Sequence, residues 1–173
     1  MGASRPRWSE VLRDQSHVSI RPIRKEDAAA ERAFIAALSP QARRFRFLGQ
    51  MEHPSNEMIQ RFTDLDYAHD LAFAATAHDD PTHAFVGVAR YSTSTDGTEC
   101  ECAITVLDDW HGKGLGSVLM KHLIDVARCR GVKRMWSIDA ASNTAMTDLA
   151  HYMGFSSRQD PDDASQVIHS LLL

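Results

Sequence analysis

The chain has 173 residues, 43% of them hydrophobic and 24% charged, a balance typical of a single globular domain with a substantial core. Its formal net charge of -4 argues against a nucleic-acid binder, which usually carries a basic excess. No apolar run approaches the length of a membrane span and the N-terminus lacks a signal-peptide segment, so we expect a cytoplasmic protein with no membrane partner.

The first part of the chain predicts a leader, one strand and three helices. Residues 1–16 are polar and Arg-rich and are expected to form a flexible leader, with a short helix around Trp8 to Arg13, so that the folded domain spans 17–173. Ser39-Pro40 ends the first helix, and Ser55 is the expected N-cap of the third. The predicted elements are a strand over 17–24 and helices over 27–38, 42–48 and 55–65.

Further along, the hydrophobic period changes to that of a β-meander. Strands are predicted over 71–78, 84–92 and 99–106, separated by turn signals at 79–81 and 96–97. The simplest arrangement is three antiparallel strands. In the third strand one face carries Glu99, Glu101, Ala103 and Thr105, and the opposite, apolar face carries Cys100, Cys102, Ile104 and Val106.

Three alternating glycines follow this strand, in His111-Gly112-Lys113-Gly114-Leu115-Gly116. Apolar residues recur at helical spacing after them, so the glycines mark a strand-to-helix turn. Without side chains, the amides at a helix N-terminus can approach a ligand closely, and the helix dipole adds positive potential there. We therefore expect a pyrophosphate to bind at this turn.

The remaining elements complete a mixed sheet. A strand over 133–139 must run parallel to the strand before the glycine turn, which makes a β-α-β unit. A helix over 142–153 and two short strands over 155–159 and 166–172 follow it. The predicted fold class is therefore α/β (α+β), a single domain whose mixed, mostly antiparallel central sheet has helices on both faces.

The glycine turn resembles the signature of the GNAT superfamily of acyl-CoA N-acyltransferases, which reads Gln or Arg, two residues, Gly, one residue, then Gly or Ala. His111 stands where Gln or Arg is usual, and this departure leaves the backbone cradle intact. The resemblance extends from Val18 to the C-terminus and includes Asn143 and Gly154-Phe155. Within the superfamily the chain is most similar to the catalytic domain of bacterial Pat-type protein-lysine acetyltransferases, on Leu38-Ser39-Pro40, Arg46-Phe47, His53-Pro54, Asp66-Tyr67 and Asp108-Asp109-Trp110.

This resemblance implies direct transfer of the acetyl group of acetyl-CoA to a primary amine, above all to a protein lysine. A lysine amine is almost wholly protonated at neutral pH, so a base is required. Glu101 is the candidate general base, and Glu99 takes that role if the strand register is shifted by two residues. The backbone of Ile104, Thr105 and Val106 would pair with the pantetheine arm, with the Val106 amide holding the oxyanion. The other predicted co-substrate contacts are His111, Gly112, Lys113, Gly114, Leu115, Gly116, Ser117 and Asn143.

Three side-chain roles stay open on the sequence alone. Many GNAT enzymes protonate the leaving thiolate with a Tyr where this chain has Ala150, so either Tyr152 or His151 replaces it or the thiolate leaves unassisted. Asn143 either hydrogen-bonds the pantetheine or a base-bound water, or it caps a helix. Lys113 either contacts a phosphate or lies in solvent.

A covalent enzyme intermediate is not expected. Cys100 and Cys102 lie on the apolar strand face and are predicted to be buried, and Cys129 falls within a helix. The nine histidines show no pair at ligand spacing with a third partner, so we predict no metal site.

Two other activities and one other ligand compete with lysine acetylation. The acceptor is alternatively a small-molecule amine, or the chain is a catalytically idle acetyl-CoA sensor, against which Glu101 argues and with which the missing tyrosine is compatible. Binding of NAD through Gly112, Gly114 and Ser117, with Asp139 on a ribose, is disfavoured because Ser117 replaces the third glycine. The element order also differs from a doubly wound dinucleotide fold, in which the glycine turn lies near the N-terminus.

Overall fold

An eight-stranded sheet runs through the residues that the computed structural model describes, which are 6–49 and 51–173. The strands are β1 (Trp8–Val11), β2 (His17–Pro22), β3 (Asp70–Ala77), β4 (Phe85–Thr93), β5 (Glu99–Val106), β6 (Arg134–Ala140), β7 (Ser156–Gln159) and β8 (Gln166–Leu172). They lie in the order β1-β2-β3-β4-β5-β6-β8-β7, and every neighbouring pair is antiparallel except β5 and β6. This order excludes a doubly wound dinucleotide fold, whose sheet is mostly parallel.

Helices connect and cover these strands. Ser55 caps the third helix as predicted, since its hydroxyl accepts the N–H of Met58 at 3.1 Å. The second helix begins at Pro40 rather than residue 42, because Ser39 caps it in the same way. Among the described residues no helix is both long enough and apolar enough to cross a membrane. The helices are α1 (Ala28–Ala37), α2 (Pro40–Phe47), α3 (Asn56–Thr63), α4 (Leu115–Cys129) and α5 (Thr144–Tyr152).

Two apolar clusters lie on opposite faces of the sheet. Strand β3 supplies both, because successive side chains of a strand point to opposite faces: Phe73 packs with α4 and Ala74 with α1 and α3. Leu119 and Leu123 of α4 are fully buried on the first face, and Phe34 of α1 is buried on the second. The predicted mixed sheet with helices on both faces is confirmed.

The parallel pair β5 and β6 stays together only at its start. Glu99, Cys100 and Glu101 are in register with Arg134, Met135 and Trp136, and no pairing continues beyond Glu101. The strands therefore separate from Cys102 onward, although β5 continues to pair with β4 as far as Val106. This separation leaves the second half of β5 with a free edge inside the domain.

The predicted helix around Trp8 to Arg13 is wrong, because Trp8–Val11 is a strand that pairs with β2. Trp8 packs edge-on against Phe73 and stacks on the ring of His122 in α4, with ring centres 5.0 and 4.2 Å apart. These contacts come from distant parts of the chain and override the local pattern. The sheet thus begins within the stretch predicted as a leader, whose residues 1–5 lie outside the described part of the chain.

Candidate active site

A cleft of about 600 Å³ opens where β5 and β6 separate. One end is formed by the loop before α4 and the first turn of that helix. The other end is formed by α2, which packs against β5 and β6 on the face that carries Glu101. Helix α5 closes one side. The cleft therefore passes through the sheet, with an end near the glycine turn and an end near α2.

The glycines in the turn serve different purposes. Gly112 and Gly114 have φ angles of 75° and 88°, a left-handed conformation that costs other residues free energy. Gly116 has no such angle, but a side chain there would approach Leu149 of α5 to 3.3 Å. Together they expose the first amides of α4 to the cleft, since Gly114 makes no side-chain cap and the first turn carries no acidic residue.

Lys113 does not line the cleft, although its neighbours in the motif do. Its ammonium nitrogen lies 3.1 Å from a carboxylate oxygen of Asp14 and 4.5 Å from the centre of the Trp110 ring. Leu115 is buried and its backbone belongs to the first turn of α4, where Ser117 also reaches the cleft. The sequence suggests that Lys113 either contacts a phosphate or lies in solvent, and neither prediction includes its ion pair with Asp14.

The free edge of β5 presents peptide groups at alternate residues. Leu107 donates its N–H to the Val86 carbonyl at 3.0 Å, and in an antiparallel ladder this directs the peptide groups of Thr105 towards β4. The peptide groups of Ile104 and Val106 then point towards the gap. Thr105, predicted to pair with pantetheine through its backbone, is therefore engaged with β4, and its side chain shares the face of Glu101.

His111 closes the end of this edge. Its Nε2–H donates to the carbonyl oxygen of Val106 at 2.9 Å, which leaves the Val106 N–H as the last free donor of the strand. His111, which stands where Gln or Arg is usual, thus begins the glycine turn and also contacts the end of β5 through its side chain. No local pattern in the sequence signals this contact.

Glu101 lines the cleft and Glu99 does not. Glu101 is exposed, and it sits where β5 leaves β6. Glu99 lies outside the cleft, 3.3 Å from Arg134 in an ion pair. The carboxylate available to a bound substrate is therefore that of Glu101.

Arg46 of α2 forms the wall opposite the glycine turn. Its guanidinium lies 5.0 Å from the ring centre of Phe47 and 5.5 Å from that of Phe62, and it has no hydrogen bond within the described residues. Burial, with Arg90 nearby, lowers the pKa of Arg46 to about 10, while Glu101 acts in the opposite direction. Arg46 therefore remains a cation at neutral pH and lies within electrostatic reach of the candidate base.

A second carboxylate, Asp139 of β6, also faces the cleft. Burial raises its pKa, against the opposing effects of the Ser137 hydroxyl, which donates to it at 2.7 Å, and of His169 and Arg46. Nε2 of His169 lies 3.8 Å from Asp139, and its Nδ1 lies 2.6 Å from the Ser157 hydroxyl. From the sequence, Asp139 is considered only as a ribose contact. No pattern near it in the sequence indicates that β8 brings the buried His169 beside it.

Helix α5 carries the remaining predicted side chains. Asn143 caps it by accepting the Met146 N–H at 3.1 Å, and it also lines the cleft, so its amide nitrogen is available to a ligand. Ala150 is buried in the core. Of its two candidate replacements, Tyr152 lines the cleft and is 71% exposed, whereas His151 lies outside it with Nε2 3.2 Å from the Ser157 hydroxyl.

Among the described residues, Cys102 is the one cysteine that contributes to the cleft lining, and its side chain is buried. Cys100 and Cys102 are buried, as predicted. Burial raises the pKa of Cys100 to about 12 and that of Cys102 well above its usual value, so both remain thiols at neutral pH. Within the described residues, no group of three or more His, Cys, Asp or Glu side chains is arranged to hold a metal ion. The absence of a metal site stays a prediction.

The model of the Acetyltransferase (GNAT) family matches residues 28–155. That stretch contains Glu101, the glycine turn and Asn143, and it begins after the hairpin formed by β1 and β2. The match covers most of the chain.

Relatives and solved structures agree with the family match. Acetyltransferase PA5475 of Pseudomonas aeruginosa is 48% identical over 166 residues, which is 96% of this chain and 89% of that protein. Acetyltransferase Pat of Mycolicibacterium smegmatis is 29% identical over 111 residues, 64% of this chain but 33% of Pat. The crystal structure of the GNAT domain of S. lividans PAT matches with a TM-score of 0.88 and 26% identity, covering 96% of this chain and 97% of that domain.

Proposed function

Because the chain belongs to the GNAT family of acetyltransferases, we propose that it moves the acetyl group of acetyl-CoA to the side-chain amine of a protein lysine. The observation that carries this proposal is the position of Glu101 in a cleft between the free edge of β5 and the N-terminus of α4. A carboxylate, a strand edge and a helix N-terminus in one cleft supply a base, a thioester site and a phosphate site.

The residues of the cleft fit acetyl-CoA, the co-substrate of this family. The uncapped amides of α4 and the turn from His111 to Gly116 suit the pyrophosphate. The free peptide groups of Ile104, together with the Val106 N–H, suit the amides and thioester of the pantetheine arm, which would lie along β5 like another strand. Asn143 adds an amide nitrogen from α5.

Glu101 acts as the general base in this proposal. The acceptor ammonium must lose a proton before its nitrogen can attack the thioester carbonyl, and Glu101 takes this proton directly or through a water. The Val106 N–H then stabilises the carbonyl oxygen as it becomes negative. The nitrogen–carbon bond forms, the carbon–sulfur bond then breaks, and the nitrogen gives its remaining extra proton to water, so the acetyl group passes to the amine without an acyl-enzyme.

Tyr152 is the group we assign to the leaving thiolate. Its side chain lines the cleft, whereas His151 is engaged with Ser157 and Ala150 has no proton to give. A phenol is a weaker acid than a thiol, with reference pKa values of about 10 and about 8.5, so passing its proton to the thiolate is mildly uphill and gives limited assistance. We therefore expect replacement of Tyr152 by Phe to slow transfer less than replacement of Glu101.

The acceptor is assigned as a lysine on two grounds. The cleft lining carries three carboxylates, from Glu101, Asp139 and the exposed Asp148, against the two cations Arg13 and Arg46, and this excess of negative groups favours a cationic acceptor. The likeness in fold to the GNAT domain of S. lividans PAT, at 26% identity, supports the Pat-type resemblance. Acetyl-CoA and its acceptor proteins would meet in the cytoplasm.

Replacement of Glu101 by Gln tests the base. We expect kcat/KM for acetyl transfer to fall about 10²- to 10⁴-fold, because the amide keeps the shape but cannot accept the proton. The matched control is Glu99→Gln, two residues away on the same strand face but outside the cleft. Rates are measured by mass spectrometry of the acetylated product, since Cys129 is exposed and would react with thiol reagents. Equal losses in both variants would reject Glu101 as the base.

The acceptor class is tested by adding labelled acetyl-CoA to a desalted lysate in one arm and to a pool of small amines in another. Label on protein lysines, lost with Glu101→Gln, supports the proposal. Label only in small amines would replace the lysine with a metabolite acceptor. Tight binding of CoA with no transfer in either arm would identify an idle sensor instead.

A further inference from the structure

The hairpin of β1 and β2 touches the glycine turn directly. The N–H of Arg13, in the hairpin loop, donates to the carbonyl oxygen of Lys113 at 3.0 Å. The Arg13 side chain then lies over the turn, close enough that a side chain at Gly114 would approach Arg13 Nε to 3.3 Å. Arg13 itself lines the cleft and is exposed. The hairpin and the turn thus form one surface at this end of the cleft.

This surface carries uncompensated positive charge. Helix α4 starts without a side-chain cap and without an acidic residue in its first turn, so its dipole and free amides face the cleft. The Arg13 guanidinium lies beside them and has no hydrogen bond or ion pair with any described residue. A guanidinium placed against a helix N-terminus is repelled by it unless an anion binds between them.

Lys113, the other cation of the turn, is already neutralised. Asp14, the residue after Arg13, pairs with it at 3.1 Å. Hydrogen bonds from Ser16, and to a smaller degree Lys113, lower the pKa of Asp14 to about 2, so this carboxylate is charged at any working pH. The hairpin loop thus holds Lys113 in an ion pair away from the cleft, and the cation that it presents to the cleft is Arg13.

We propose that Arg13 binds the pyrophosphate of CoA, so that the N-terminal hairpin is part of the co-substrate site. The inference rests on the proposed function, since it concerns the same cleft. Arg13 precedes the stretch 28–155 matched by the family model, so it adds a contact from outside that region. A guanidinium donates two parallel hydrogen bonds to phosphate oxygens, and the adjacent amides of α4 complete the anion's shell.

The test is binding of three ligands, measured by calorimetry without acetyl transfer. These are CoA, 3′-dephospho-CoA, which keeps the pyrophosphate, and pantetheine, which has no phosphate. With Arg13→Ala we expect the affinity for the first two to fall by a similar factor of about 10 to 100 and the affinity for pantetheine to stay unchanged. The matched control is Arg7→Ala, which removes the same charge from an exposed residue of the same segment outside the cleft.

Several outcomes would overturn the assignment. An equal loss for pantetheine would mean that Arg13 acts by holding the hairpin rather than by binding phosphate. A loss for CoA but not for 3′-dephospho-CoA would move Arg13 to the 3′-phosphate. Affinities equal to those of Arg7→Ala would remove Arg13 from the site while leaving the proposed function intact. If the unmodified protein binds no CoA, the proposed function fails instead. Arg13→Lys is a second variant in case Arg13→Ala does not fold. We expect it to bind CoA more weakly than the parent and more tightly than Arg13→Ala.

Discussion

The two ends of the cleft are built in different ways. The end at the glycine turn is made from contiguous residues, 111–117, and its binding groups are backbone amides held by φ angles and a helix start. The end at α2 is made from side chains on separate elements: Arg46 on α2, Glu101 on β5 and Asp139 on β6. One end is therefore a local structure and the other is a product of tertiary packing.

This difference changes what supports each end. Backbone amides at a helix start need only the helix and its glycines. The α2 end depends on a buried polar network: Arg90 Nη2 donates to Glu31 at 3.1 Å, and the guanidinium groups of Arg90 and Arg46 lie 4.4 and 5.5 Å from the centre of the Phe62 ring. Burial of these groups is costly unless each keeps its partner. The α2 end should therefore be the more sensitive of the two to remote substitutions.

The largest expected effect tests that sensitivity through Glu31→Ala. Glu31 and Arg90 are 4% and 13% exposed in their side chains, so removing the carboxylate leaves a buried guanidinium without its counter-ion. We expect the free energy of unfolding, measured with urea, to fall by about 3–5 kcal/mol. Glu26→Ala, at an exposed position just before α1, is the control. A loss as small as the control's would show that the stability of the α2 end does not depend on this pair.

Gly114→Ala probes the other end with a smaller cost. Because Gly114 has a φ of 88°, an alanine there should destabilise the protein by about 1–2 kcal/mol. Its Cβ would also press on Arg13 and so weaken CoA binding. Gly97→Ala is matched to it, since Gly97 has a φ of 73° with open space around it and lies outside the cleft. We expect both variants to lose similar stability and only Gly114→Ala to lose affinity for CoA. This result would separate the conformational free energy of the backbone from the effect on ligand binding.

The same contrast explains what the sequence could predict. The alternation that exposes Glu101 and buries Cys100, and the glycines that start α4, are local patterns, and the structure agrees with them. Strand β1 has only four residues and is specified by its partner β2 and by Phe73 and His122, which no local period reveals. Its turn chemistry, in which Asp14 accepts the N–H of Ser16, was the one available signal of a hairpin.

The side chains at the α2 end were harder to predict for a related reason. Arg46 lies in a helix with two other arginines, a pattern typical of a solvated face, and only the packing of α2 on β5 and β6 brings it near Glu101. Asp139 likewise acquires its neighbour from β8, whose position in the sheet depends on the crossing of the last two strands. Charge and burial at such positions follow from the completed fold.

The smallest expected effect concerns the pH dependence of stability at the α2 end, where Asp139 lies. Burial raises the pKa of Asp139, so the folded protein holds this proton more tightly than the unfolded chain does. The stability contributed by Asp139 is then fully present below the unfolded pKa of about 3.9 and is lost as pH rises through the folded value. Burial lowers the pKa of His169, whose contribution is instead lost as pH falls below about 6.5.

We therefore expect Asp139→Asn to gain stability relative to the parent as pH rises above about 4, with a slope below the one-proton limit of about 1.4 kcal/mol per pH unit. Urea unfolding of both proteins from pH 4 to 7 measures this difference. Asp148→Asn, which removes an exposed carboxylate from the same cleft, is the control. A stability difference that shrinks with rising pH would contradict this. It would mean that neighbouring groups at the α2 end stabilise the charged Asp139 carboxylate by more than burial destabilises it.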